Sequence, residues 1–203
     1  MRGSRRRVDE EEGLSLVELL VAMFIFGIVM LIFTQTLASI QSAVVHQDNL
    51  ARTNDQARLA LEQLDREIRS GNVLYDPSTE SDPYYMVRVY TQSNSPTLGG
   101  YSCVLWKIDD EGQLLTRYWP EGDATEATDW RVAATGIVNK ELGVHAFALD
   151  ADPLKGGRTL DVTLRVNEDY DDHPGSTFEL TQALTGRNTS YGYPVSVCND
   201  TPI

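Results

Sequence analysis

Gly13-Leu14-Ser15-Leu16-Val17-Glu18-Leu19-Leu20-Val21-Ala22-Met23-Phe24-Ile25-Phe26-Gly27-Ile28-Val29-Met30-Leu31-Ile32-Phe33 is the stretch that decides how this chain is built. Of the twenty residues after Gly13, only Glu18 is charged. Twenty helical residues at about 1.5 Å each span roughly 30 Å, the thickness of a bilayer's hydrocarbon core. The segment reads as a membrane-crossing helix whose single acid lies one turn in from the polar end. A carboxylate there costs a few kcal/mol unless it is paired, so Glu18 is a candidate functional residue.

On its N-terminal side the span is preceded by Arg5-Arg6-Arg7, which holds the N-terminus in the cytoplasm by the positive-inside bias. Everything after the span is then exported. The apolar run is too long for the core of a secretory signal, and no small-x-small cleavage site follows it. The small residue, Gly13, comes before the run. A peptidase cutting there would remove a polar leader and keep the helix. The alternative is an uncleaved signal anchor.

A glycine, an apolar residue, a small hydroxyl residue, two apolar residues, a glutamate and a long apolar run make a directional pattern, met position by position by Gly13 to Leu20. This pattern resembles the type IV prepilin signature of the pilin and pseudopilin superfamily. The resemblance implies that a prepilin peptidase cleaves between Gly13 and Leu14 and that the new amino group of Leu14 is methylated. It also implies that Glu18 pairs with the N-terminal amine of a neighbouring subunit and so sets the axial step of a filament. Glu10-Glu11-Glu12 depart from the family, where many leaders are basic just before the glycine. The large tip pseudopilin typically lacks the acid, and major pilins commonly carry a proline midway along the membrane helix. Here Glu18 is present and no proline occurs before Pro77, which favours a minor pilin or pseudopilin.

Beyond the span the helix pattern continues. From Ile40 to Ile68 there is no Gly or Pro, and Ala43, Gln47, Leu50, Asn54, Ala57, Leu61, Leu64 and Ile68 recur at spacings of four and three, one face of a helix. Asp48 with Arg52, Glu62 with Arg66 and Asp65 with Arg69 are i,i+4 pairs in the favourable order. Ser70-Gly71-Asn72 supplies the stop, with Gly71 expected as the residue that caps the last turn. A helix from about Leu14 to Ser70 would be roughly 85 Å long.

From Asn72 strands alternate with turns. Tyr85–Tyr90, Cys103–Ile108, Leu114–Trp119, Trp130–Val138 (interrupted by Gly136), Leu142–Leu149, Thr159–Val166 and Phe178–Leu184 are the expected strands. Asp109 to Gln113 reads as a hairpin loop. The fold class is α+β: a long N-terminal transmembrane-plus-stalk helix packed on a C-terminal antiparallel β-sheet. Its parts are a leader (1–13), a transmembrane and assembly helix (14–37), an extracytoplasmic helical stalk (38–71) and a globular β-rich domain (72–203). The order of helix end, acidic-glycine hairpin and late strand resembles the PilW and GspJ (PulJ) type of minor subunit.

The chain has 203 residues and a net charge of −13, which disfavours a phosphate backbone as direct partner. Its two cysteines, Cys103 and Cys198, have no metal spacing. In an exported domain they would most simply form one disulfide, the alternative being two unpaired thiols. Two acid-rich loops, Asp150-Ala151-Asp152 and Glu168-Asp169-Tyr170-Asp171-Asp172, could supply oxygen ligands to calcium, although no EF-hand spacing is present. Otherwise no cofactor is expected. His46, His145 and His173 lack partners at metal or triad spacing, and there is no phosphate loop, nucleophile elbow or HExxH, so no enzyme activity is expected. The reading is a minor pilin or pseudopilin whose partners are other pilins, prepilin peptidase, the inner-membrane assembly platform and the membrane itself. The rival is a permanently anchored extracytoplasmic protein that binds a ligand or calcium.

Overall fold

The computed structural model describes residues 15–92, 102–150, 152, 157–170, 174–186, 194 and 196–199. The chain divides into two compact units, Met1–Gln47 and Asp48–Ile203. One helix, α1 (Leu16–Arg69), contributes to both. No proline or glycine occurs in it after Gly27. Where hydroxyls fall near the end of the apolar run they bond back to the preceding turn, Thr34 Oγ1 to Leu31 O and Thr36 Oγ1 to Ile32 O, each 2.9 Å. Such bonds satisfy the hydroxyls without water. Farther along, Asp48 pairs with Arg52 at 2.9 Å and Asp65 with Arg69 at 2.7 Å.

In the first unit the described residues are all helix but for Ser15, and the large apolar residues Leu16 to Phe33 are all exposed.

In the second unit the helix meets two sheets. The larger is a five-stranded antiparallel meander of β1 (Gly71–Leu74), β2 (Met86–Thr91), β3 (Ser102–Ile108), β4 (Leu114–Pro120) and β5 (Arg131–Ala134). The smaller has β6 (Phe147–Leu149), β7 (Thr159–Val166) and β8 (Phe178–Thr185) in that order. A bridge between Ile137 and Val166 and the Tyr84 carbonyl, which accepts from the N–H groups of Ala146 and Phe147, connect the two. Both sheets share one core with α1. Ala57, Ala60, Leu61, Leu64 and Ile68 pack with Val87, Val89, Val104, Trp106 and Ile108 of the larger sheet and with Leu160, Val162, Leu164 and Leu184 of the smaller. Strict alternation along β2 and β3 sends their other side chains, Met86, Tyr90, Cys103 and Leu105, into a second cluster on the outer face, with Tyr75, Trp119 and Cys198.

The α+β arrangement of a long helix against antiparallel strands is the one read from the sequence. Several details differ. The helix stop is followed at once by β1, with no intervening loop. Gly71 is not in the left-handed conformation expected of a capping glycine. A Cβ on it would lie 2.9 Å from Val89 Cγ1 and 3.1 Å from the carbonyls of Glu67 and Ile68, so the missing side chain lets the strand pass close to the helix end. The strand expected over Trp130–Val138 ends at Ala134, because Gly136 takes φ +67° and turns the backbone. The strand expected over Leu142–Leu149 shrinks to Phe147–Leu149, preceded by a short helix, α2 (Asn139–Leu142). Buried Asn139 explains this: its side-chain oxygen accepts from Arg165 N (2.7 Å) and its amide donates to Thr163 O (2.8 Å) and Val144 O (3.2 Å). Those bonds fold the segment back before it can extend.

Candidate functional site

The N-terminal part of α1 is the candidate site. The helix ladder begins with Leu19 N–H donating to Ser15 O (3.1 Å), which places Glu18 in the first turn. A carboxylate there complements the unpaired N–H groups and the positive end of the helix dipole. The Glu18 residue is exposed. Gly13 and Leu14, the residues of the expected cleavage and methylation, lie outside the described residues.

Around and beyond Glu18 the helix is apolar on every side. Fifteen large apolar residues between Leu16 and Phe33 are exposed, from 78% at Leu16 to 45% at Met30. At about 1.5–3 kcal/mol for covering each one, they represent about 20–45 kcal/mol. That exceeds the whole stability of a typical domain, about 5–15 kcal/mol. Such a helix needs lipid or other helices around it. Among the described residues α1 is the one helix long and apolar enough to cross a membrane.

In the second unit a buried carboxylate, unmarked in the sequence reading, fastens α1 to the larger sheet. Glu67 is fully buried. Its Oε2 accepts from Trp106 Nε1 at 2.6 Å, and its Oε1 accepts from Tyr118 Oη at 2.8 Å and from Gln63 Nε2 at 3.0 Å. Its backbone carbonyl accepts from Thr91 Oγ1 at 3.0 Å. Arg131 in turn donates to Gln63 Oε1. Three donors from β3, β4 and the preceding turn of α1 offset the cost of removing a carboxylate from water. Burial, and next the charge of Glu67, push the Tyr118 hydroxyl up to about 12. A signal for this residue was present: Glu67 follows Leu64 by three and precedes Ile68, on the buried stripe rather than opposite it.

On the outer face, a disulfide joins Cys103 and Cys198, whose Cα atoms are 5.7 Å apart. The backbone around Cys198 is clasped as well: its N–H donates to Tyr75 Oη (3.1 Å), and its carbonyl accepts from Arg88 Nη1 (2.5 Å). Arg88 also pairs with Glu80 at 3.1 Å and lies over the Tyr75 ring at 4.2 Å. Burial raises the Glu80 carboxyl, with Arg88 opposing it. Beside this clasp is a cavity of about 590 Å³. Its cations are engaged within the fold: Lys140 with Asp82 (2.7 Å) and Asp110 (2.8 Å), Arg88 with Glu80, and Lys107 over the Trp130 ring (4.4 Å). Among the described residues that line it, no nucleophile with an adjacent base is assembled.

The acidic loops are drawn into local structure where they are described. Asp150 Oδ1 accepts from Asp152 N (2.8 Å), and Glu168 accepts from Thr53 Oγ1 of α1. Asp171 and Asp172 lie outside the described residues. Among the described residues no group of three or more His, Cys, Asp or Glu is placed to hold a metal ion. His145 stacks on Tyr84 with centroids 3.8 Å apart, His46 is half-buried on α1, and His173 lies outside the described residues.

Residues 11–34 match the protein family described as the prokaryotic N-terminal methylation motif. The matched residues enclose Gly13, Leu14, Glu18 and the apolar helix, and they support the type IV prepilin and pseudopilin class: a membrane-anchored, pilin-like protein processed by prepilin peptidase. In general such a motif implies pilin or pseudopilin assembly partners, and the proteins that carry it are structural. Comparison with curated proteins and with solved structures gave no match.

Proposed function

We propose that this chain is a minor pilin or pseudopilin of the PilW and GspJ type, built into a type IV pilus or a type II secretion-type filament at or near its tip. In this reading the leader is removed between Gly13 and Leu14, and Leu14 becomes the methylated N-terminus. The span 14–37 holds the subunit in the membrane with the globular domain outside the cytoplasm. An inner-membrane assembly platform then draws it into the filament. The work done is mechanical, and no catalysis is assigned to the chain.

The observation that carries the reading is the helix from Leu16 to Phe33, apolar and uncovered on every side, with one acid in its first turn. Lipid covers such a surface before assembly and the helices of other subunits cover it afterwards. Exchange of one cover for the other changes little apolar exposure, so the choice of register falls to Glu18. Within a bundle of low dielectric an unpaired carboxylate is costly, and pairing it with the amine at the start of a neighbouring helix removes that cost at one axial step.

The Glu18→Ala variant tests this. Leader cleavage should proceed as in the unaltered chain, while incorporation into the filament fraction falls at least tenfold. Normal incorporation of the variant would remove the role assigned to Glu18.

A further inference from the structure

We propose that β8 (Phe178–Thr185) is a docking edge that pairs, strand to strand, with an extended segment of a different subunit of the same filament. The proposal rests on the pilin reading above for its setting and on the backbone of β8 for its chemistry.

The phase of the ladder defines what β8 offers. Gly186 N–H donates to Arg158 O (2.8 Å), one step beyond the Thr159–Thr185 pair. On the other side of β7, Asp150 N–H donates to Thr159 O and Thr163 N–H to Ala146 O, each 2.9 Å. Odd residues of β7 therefore serve β6, and its even residues serve the even residues of β8. The N–H and C=O groups of Glu179, Thr181, Ala183 and Thr185 point away from the sheet. Among the described residues nothing bonds to them.

Open edges are ordinarily blunted by shortness, lysine, proline or a bulge. The other edges of these sheets are short: β1 and β5 have four residues each and β6 has three. β1 also carries a register shift against β2. By contrast β8 is eight residues long and pairs with β7 through eight unbroken positions. It contains no lysine or proline, and its one charge, Glu179, is matched by Arg165 at 2.8 Å.

Two grooves run between β8 and α1. One, of about 240 Å³, lies beside Phe178 with Leu50 and Ala51; the other, of about 340 Å³, lies beside Leu180 and Thr181 with Leu61 and Arg58. An added strand would present side chains toward them every second residue, about 7 Å apart. Main-chain bonds to β8 would supply affinity and the grooves selectivity, as in other cases of strand addition.

The occupant is a different subunit rather than a second copy. Filament contacts are head-to-tail, so β8 must meet some other surface of its neighbour. Among the described residues the chain's other edges offer three or four residues, too few to match eight. The net charge of −13 further favours a neutral or basic segment.

Amide hydrogen exchange on the full chain tests the assignment, comparing detergent-solubilised protein with the filament fraction. The amides of Thr181, Ala183 and Thr185 should exchange freely in the isolated chain and slow at least tenfold in the filament. Protection already present in the isolated chain, or none gained on assembly, would overturn the proposal. Ala183→Pro removes an outward N–H and leaves the bonds to β7 in place. It should unfold within about 2 °C of the unaltered protein yet enter the filament at least tenfold less. If that variant does not fold, Thr181→Lys and Ala183→Lys keep the ladder and should show the same loss of incorporation. Normal incorporation of any folded edge variant would overturn the assignment. A wild-type chain that never enters the filament fraction would instead defeat the pilin reading.

Discussion

The two ends of α1 belong to one continuous helix and live in opposite surroundings. From Leu16 to Phe33 large apolar side chains lie on every side and all are exposed; from Ala57 to Ile68 the apolar side chains other than exposed Leu59 form one stripe, and that stripe is buried. The large apolar residues of the first end are uncovered. The second has two sheets and a set of hydrogen bonds centred on Glu67. One end is therefore built for exchangeable cover, the other for a permanent one. Substitutions in the two ends should accordingly be read by different measurements.

The largest effect on domain stability is expected at Leu64, which is 1% exposed and central to the shared core. Leu64→Ala should destabilise the globular domain by about 2–5 kcal/mol in denaturant unfolding. Ile25→Ala, a comparable truncation in the uncovered end, should change the same measurement by less than about 0.5 kcal/mol. Similar losses from both would break the contrast between the two ends.

Next comes Glu67. Glu67→Ala leaves Trp106 Nε1 and Tyr118 Oη without their acceptor inside the fold, and each buried orphan costs about 1–3 kcal/mol. The expected loss is about 2–4 kcal/mol, whereas Glu67→Gln keeps one acceptor and should lose about 1 kcal/mol. Equal losses for the two variants would mean that the hydrogen bonds matter less than the space the side chain fills.

The smallest effect concerns alkali. Tyr118 has its hydroxyl raised from the ordinary value of 10 to about 12 in the folded state. The neutral form is thus the one the fold favours. Its contribution is fully present below about pH 10 and is lost as pH rises toward 12. Thermal unfolding of the intact protein should show this alkaline decline, and Tyr118→Phe should flatten it. An unchanged alkaline profile in that variant would assign the sensitivity to other groups.

The contrast between the two ends of α1 explains what could be read beforehand. Leu16–Phe33 was legible because its environment is uniform, so composition alone identifies it. The Leu61, Leu64 and Ile68 stripe was legible because a helix against a sheet leaves a periodic trace. Strand β7 was legible for the same reason at period two, whereas β3, β4 and β8 were legible as short strand-forming runs between turn residues. Glu67 was not, since a glutamate in a helix ordinarily faces water, and only the placement of Trp106 and Tyr118 on neighbouring strands makes its burial tolerable. β1 was missed because its pairing with β2 depends on the close approach permitted by Gly71, a contact between distant parts of the chain. The division of the strands into two sheets also depends on long-range bonds, notably those of Tyr84 and Asn139. Glu18 was singled out by its isolation in an apolar run, and the structure places it in the first turn of α1.

The most direct measurement is the intact mass and N-terminal sequence of the protein isolated from its native membrane. A chain beginning at Leu14 and carrying one added methyl group is the expected result. A chain still beginning at Met1, in a host whose prepilin peptidase is active, would contradict the account and make the protein a permanent anchor.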